Sequence, residues 1–113
     1  MIMDCFNNLD IAITIADADG KIIYMNNKSQ KTFAQYGGAD LIDKNLFDCH
    51  NANSVDVMRK MMTGENTNCY TIEKNGIKKL IYQSTWLTND GNVGGIAELS
   101  ITLPDDLPHK TRD

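Results

Sequence analysis

No stretch of this sequence stays apolar for the roughly 20 residues that a membrane span needs. Cysteine is scarce. Cys5, Cys49 and Cys69 make an odd count without a Cys-x-x-Cys spacing. That argues against a disulfide framework and a structural zinc site, and leaves three reduced thiols. Positive charge is also short, with 11 Lys and Arg against 15 Asp and Glu, a net charge of −4. Without a basic stripe, nucleic acid is not an expected partner. The first residues carry Asp4 and Asp10 but no basic side chain, which does not fit a secretory signal. A cytoplasmic location is expected, with no membrane contact. The two prolines both lie near the end, and no repeat, low-complexity tract or linker divides the chain. Its 113 residues suit one domain that can bury roughly two-thirds of its unfolded surface.

What is present is alternation, broken by turn residues. Ile11, Ile13 and Ile15 alternate with Ala12, Thr14 and Ala16, the period of a strand. Asp17 to Gly20 is a turn, and Lys21 to Met25 returns as the second arm of a hairpin. Asn26-Asn27 stops that arm and can cap a helix over Ser29 to Tyr36, with Phe33 as its core contact. Gly37-Gly38 ends it. Between Ala39 and Cys49 the apolar residues are interrupted by Asp43-Lys44-Asn45, which suits one or two single helical turns. Asn53 is the expected N-cap of the next helix. Val55, Met58, Met61 and Met62 share a side of it, and Gly64 stops it. Strands follow over Cys69 to Lys74, Ile77 to Thr88 and Val93 to Leu103. Asn75-Gly76 is a type I′ hairpin signal, and Asn89 to Asn92 is another turn. Residues 1–104 are read as one domain and 105–113 as an extended or disordered tail. Two strands, a helical crossover and three hairpin-linked strands make an α+β layout, with an antiparallel sheet covered on one face by helices.

The ordered set of these segments resembles the PAS domain family. Three segments carry the likeness: Ile15 to Asn26, Gly38 to His50, and Asn89-Asp90-Gly91 with Ser100-Ile101-Thr102. It covers roughly Leu9 to Leu103. Cys49-His50 followed by Ser54 is also similar to a pattern in some bacterial PAS domains. The resemblance implies the sheet order 2-1-5-4-3 and a ligand cavity between sheet and helices. It also implies a sensing role, commonly as a homodimer. Two departures stand out. Ser100 replaces the Asp of a frequent Asp-Ile-Thr ending, and Pro104 and Pro108 forbid an immediate helical exit.

The candidate cofactor- or ligand-binding residues are His50, Cys49, Met58, Tyr36 and Trp86. His50 could ligate haem iron, as in haem sensors of the family, or hydrogen-bond a ligand. The plainer role is a loop histidine bonded to local backbone. Met58, Met61 or Met62 could supply sulfur, yet a methionine stripe at this spacing more often packs a core. Cys49 beside His50 is a weak catalytic pair, because adjacent side chains point apart. A small buried thiol is the plainer reading, and no enzymatic activity is expected. Tyr24, Tyr36, Tyr70, Tyr82 and Trp86 combine apolar bodies with polar tips suited to a pocket. Leu80, Tyr82, Ser84 and Trp86 share one side of their strand, and Ile81, Gln83, Thr85 and Leu87 the other. Both sides are half apolar, so helices are expected over one face and a second subunit, or Met1 to Phe6, over the other. Glu98, mid-strand, faces solvent or that partner in the favoured reading, or else reads a polar group of a ligand. No calcium loop is complete around Asp17 and Asp19, so no metal site is expected.

The expected function is therefore a sensor that binds a small molecule or cofactor, haem being one, and signals through a homodimer or a partner protein. The alternative is a ligand-free interaction module with a filled core.

Overall fold

The computed structural model describes residues 1–113 except Glu65 and, for Cys49, the side chain. The described residues form α1 (Ile2–Asn8), β1 (Ala12–Asp17), β2 (Ile22–Met25), α2 (Asn27–Thr32), α3 (Ala52–Thr63), β3 (Thr67–Lys74), β4 (Ile77–Leu87) and β5 (Val93–Thr102). Three short 3₁₀ turns, Ala34–Tyr36, Gly38–Leu41 and Leu46–Cys49, lie between α2 and α3. The strands make one five-stranded sheet of order β2-β1-β5-β4-β3, antiparallel at every pairing. The α+β architecture and strand order are those expected.

Turn chemistry explains the hairpins. Asp17 Oδ1 accepts from the backbone N–H of Asp19 and Lys21 at 3.0 and 2.9 Å, closing the β1–β2 turn. Asn75 and Gly76 take φ of 54° and 77°, the two positive values that a type I′ turn requires. At β5, Gly94 lies under the Trp86 ring, and Gly95 backs onto the Ala16 carbonyl. Neither position has room for a side chain.

The crossover segment differs from expectation in two places. Helix α2 stops at Thr32, and Ala34–Tyr36 continues as a 3₁₀ turn. Helix α3 is capped by Asn51, whose side chain accepts from Ser54 N at 2.9 Å, rather than by Asn53. Both asparagines are exposed, so packing does not choose between them. Asn51→Ala should therefore lower stability by about 1 kcal/mol while Asn53→Ala stays near neutral. Urea denaturation of both variants checks this, and equal effects would contradict the assignment.

Helix α1 carries no buried residue and was not visible as a periodic pattern. Its C-terminal half is held by asparagines and one tyrosine. Tyr24 Oη donates to Asn7 Oδ1, Asn27 Nδ2 to Asn8 Oδ1, and Asn26 Nδ2 to the Phe6 carbonyl. Ile2, Met3 and Phe6 remain exposed.

The core lies between β1, β2 and β5 on one side and the crossover on the other. Ala16, Ile22, Met25, Leu46, Met58 and Ile96 are its buried residues. Phe33, Leu41, Ile42, Phe47, Val55 and Met62 pack around them. The methionine side of α3 thus points inward. On the opposite sheet face, the register lines up Ile13, Leu99, Tyr82 and Cys69 across four strands. Tyr82 and Cys69 are exposed there, and Leu80, Leu99 and Ile101 are half-buried.

Candidate functional site

The crossover does not fill all the space above the sheet. A cavity of about 470 Å³ remains, lined by Thr14, Ile22, Met25, Phe33, Tyr36, Leu41, Leu46, His50 and Glu98. Its lining follows from the fold. Thr14 and Glu98 come from the paired strands β1 and β5, where they sit directly opposite each other. Ile22 and Met25 rise from β2, and Phe33 follows the end of α2. Tyr36, Leu41, Leu46 and His50 come from the 3₁₀ turns and the residue after them. Most of this wall is aliphatic or aromatic, with polar groups at Thr14, Tyr36, His50 and Glu98.

The polar groups are arranged in a row. Asn68, Gln83, Glu98 and Thr14 occupy one register line across β3, β4, β5 and β1. Asn68 Nδ2 donates to Gln83 Oε1 at 3.0 Å, and Gln83 Nε2 donates to Glu98 Oε2 at 2.8 Å. The Thr14 hydroxyl pairs with that of Ser29 in α2 at 2.6 Å. Gln83, Thr14 and Ser29 are all buried, and these bonds are what makes their burial tolerable. The row overturns the favoured sequence reading of Glu98 and leaves the alternative, a carboxylate beside a ligand cavity. Its carboxylate is turned toward the helices and the cavity, not toward open solvent or a partner.

The reason is visible in strand parity. Along β5, Ile96, Glu98 and Ser100 face the crossover, whereas Leu99 and Ile101 lie on the outer side. Apolar content favours the wrong face, because the outer side is the more apolar of the two here. Matching polar residues at equivalent positions of neighbouring strands were the signal for the correct one.

His50 is half-buried at the exit of the last 3₁₀ turn. Its Nδ1 lies 2.9 Å from the Leu46 carbonyl. A carbonyl can only accept, so Nδ1 carries the hydrogen, and in the Nδ1–H tautomer Nε2 presents a lone pair. Tyr36, 66% exposed, stands at the mouth.

Of the residues singled out from sequence, His50 and Tyr36 line the cavity. Met58 is 1% exposed and belongs to the core beside Ala16 and Leu46. Trp86 donates its indole N–H to the Ala16 carbonyl at 3.1 Å and covers Gly94, so its polar tip is engaged in the sheet. The Cys49 side chain lies outside the described residues. Thr14, Ile22, Met25, Leu41 and Leu46 were not singled out as ligand contacts, and Glu98 only as the less favoured alternative. Cys5 and Cys69 are free and exposed. Among the described residues no group of three or more His, Cys, Asp or Glu could hold a metal ion. No helix of the described residues is long and apolar enough to cross a membrane.

The residues present fit haem poorly. His50 has its Nδ1 anchored on a carbonyl, as metal-binding histidines do. Haem also carries two propionates, and neither Lys nor Arg is among the lining residues, while Glu98 places a like charge there.

Tyr70 shares the helix-facing side with Asn68, two residues away along β3. Its phenol is pushed above the usual tyrosine range, first by removal from water and second by the negative charge of Glu98. Burial likewise raises Tyr24. The ionised phenolate is the disfavoured form, so the folded chain holds this proton more tightly than the unfolded chain. That stability is present below the unfolded-state value and is lost as pH rises through the folded-state one. In an alkaline absorbance titration, Tyr70→Phe should remove a late-ionising phase. Glu98→Gln should move that phase only part of the way down, since desolvation remains. A phase indifferent to Glu98 would contradict the placement of the carboxylate.

Comparison with known proteins agrees with the architecture. A family model described as PAS fold matches residues 6–103. No curated protein matches the chain by sequence. A sensory box sensor histidine kinase from Vibrio cholerae superposes with a TM-score of 0.61 at 14% identity, over 91% of this chain and 90% of that one. The VqmA–ligand–DNA complex of Vibrio cholerae gives a TM-score of 0.73 at 15% identity, over 92% of this chain and 51% of VqmA. This chain therefore spans about half of VqmA. The Aer2 receptor of Vibrio cholerae, a dual PAS-heme oxygen sensor, gives 0.62 at 14% identity, over 83% of this chain and 95% of that one. At such identities the likeness shows the fold.

Proposed function

Since the chain belongs to the PAS fold family, we propose that it is a sensory domain binding a small molecule between helices and sheet. The cavity of about 470 Å³ carries this reading. It is apolar enough to draw a ligand from water, and its few polar groups can fix the ligand's orientation. The sensor kinase and the ligand-bound VqmA among the structural neighbours support it by analogy.

The signalling step is a population shift. Phe33, Tyr36, Leu41 and Leu46 come from short turns, which reorder more readily than the sheet. Glu98 ties the cavity to β5, whose neighbours Leu99 and Ile101 lie on the outer face. A ligand that alters the lining thereby biases the outer face and α1, where Ile2, Met3 and Phe6 are exposed. A homodimer or a signalling partner covers that apolar surface. The same surface supports the second reading, a ligand-free interaction module. Catalysis has no part in either, and the setting is the cytoplasm. Residues 1–104 act as the domain and 105–113 as a tail.

Native mass spectrometry of freshly purified protein, with sedimentation of ligand-loaded and stripped samples, tests the proposal. A small molecule should be retained or taken up, and the association constant should change with it. Association that is the same in both samples would leave the interaction module as the surviving reading. A visible spectrum before and after adding haem belongs to the same experiment. No Soret band that depends on His50 is expected, and one abolished in His50→Ala would reinstate the haem reading.

A further inference from the structure

Two polar groups of the cavity, Glu98 and His50, offer acceptors. Glu98 is a carboxylate, and among the described residues its hydrogen bond comes from Gln83 at Oε2, which leaves Oε1 as an acceptor. His50 directs its Nδ1 hydrogen to Leu46, so Nε2 of the Nδ1–H tautomer is an acceptor as well. The Thr14 hydroxyl is engaged with Ser29. Tyr36 can donate, but it stands largely in solvent at the mouth. The wall between these groups is formed by Ile22, Met25, Phe33, Leu41 and Leu46. Among the described residues no Lys or Arg forms an ion pair with Glu98. A half-buried carboxylate facing a cavity without a cation is a group that a ligand can satisfy.

Resting on the proposed ligand cavity, we infer that the ligand is a small, largely apolar amine whose protonated nitrogen pairs with Glu98. The nitrogen meets the carboxylate at the sheet, and the apolar body lies under Phe33, Leu41 and Leu46. His50 Nε2 can accept a second hydrogen from a nitrogen or hydroxyl nearer the mouth. Gln83 acts as a positioning residue. Its carboxamide, itself held by Asn68, fixes one oxygen of Glu98 and so sets the direction of the other. Carboxylate ligands are disfavoured, because they would meet an acceptor of like charge in a site of low polarity.

Three probes of one shape test this: phenethylamine, 2-phenylethanol and 3-phenylpropionate. Each is titrated at millimolar concentration into the isotope-labelled protein near neutral pH, with NMR shifts followed at Thr14, Phe33, Leu46 and Glu98. The amine should bind in the cavity on the order of tenfold or more tightly than the propionate, with the alcohol between them. Glu98→Gln keeps an acceptor for Gln83 and should fold, yet it should erase the preference for the amine. The same charge ranking in wild type and Glu98→Gln, or a propionate that binds as well as the amine, overturns the amine assignment. If all three still shift the lining residues, the ligand cavity itself survives. Binding by none of the three overturns the amine together with the cavity reading on which it rests.

Discussion

Gly95→Ala is expected to lose about 4 kcal/mol of stability, a large part of the roughly 5–15 kcal/mol that holds a domain of this size. Gly95 has φ of 155°, and a β-carbon built on it would overlap the Ala16 carbonyl oxygen. The obstacle is backbone of the neighbouring strand. β1 runs between β2 and β5 at this point, so it cannot withdraw without breaking a pairing. Gly94→Ala offers the comparison. Its added carbon would meet the Trp86 ring instead, a side chain that can rotate away. That variant should cost about 1–3 kcal/mol and change the fluorescence of the lone tryptophan, as the indole leaves the Ala16 carbonyl. Urea denaturation with tryptophan fluorescence measures both. A Gly95→Ala protein as stable as wild type would show that β1 and β5 are not as closely apposed as described.

The second large effect belongs to Asn26, whose side chain is fully buried. Its Oδ1 accepts from Ile13 N at 2.9 Å and from Ser29 N at 3.0 Å. Its Nδ2 donates to the Phe6 and Ile11 carbonyls at 2.9 and 2.7 Å. One amide thereby caps α2, holds β1 and anchors α1. Asn26→Ala strands four backbone groups, each worth about 1–3 kcal/mol when left unpaired in the interior. Some will find water, so the expected loss is about 3–4 kcal/mol rather than the full sum. Asn26→Asp is the informative companion. It keeps both accepted bonds but turns an oxygen toward two carbonyls, so it should fail almost as badly at neutral pH. It should also release α1, read as faster hydrogen exchange at residues 2–8. Full stability in Asn26→Asp would mean that α1 and the Ile11 carbonyl depend little on this residue.

Much of the fold was legible because local chemistry and tertiary structure agree. Asp17 to Gly20 and Asn75-Gly76 dictate their turns through side-chain bonds and positive φ that need nothing distant. The inward side of α3 follows from the spacing of Val55, Met58, Met61 and Met62. Helix α1 was not legible. It buries none of its own side chains, so no periodic signal was available to read. The N-cap of α3 was misplaced by two residues because Asn51 and Asn53 are chemically identical candidates.

The candidate site was legible only in part, for a related reason. His50 and Tyr36 were recognisable by type, and the cavity includes them. For Glu98 the sequence favours the outward of two readings, since a carboxylate in a strand is ordinarily outward, and the cavity holds it in the other. Its inward placement is supported by Gln83 and Asn68, which are separated from it by 15 and 30 residues and become neighbours only through register. Trp86 was read as pocket-forming, yet Gly94 leaves room for its ring and the Ala16 carbonyl takes its N–H.

Sequence alone therefore determined the turns, the principal strands and the inward side of α3, because each depends on residues close along the chain. The tertiary structure decided which face of β5 looks inward, where α1 attaches, and that Thr14, His50 and Glu98 share a cavity. Those outcomes depend on cross-strand register and on the space that the short turns leave open. Neither is a property of any local stretch of residues.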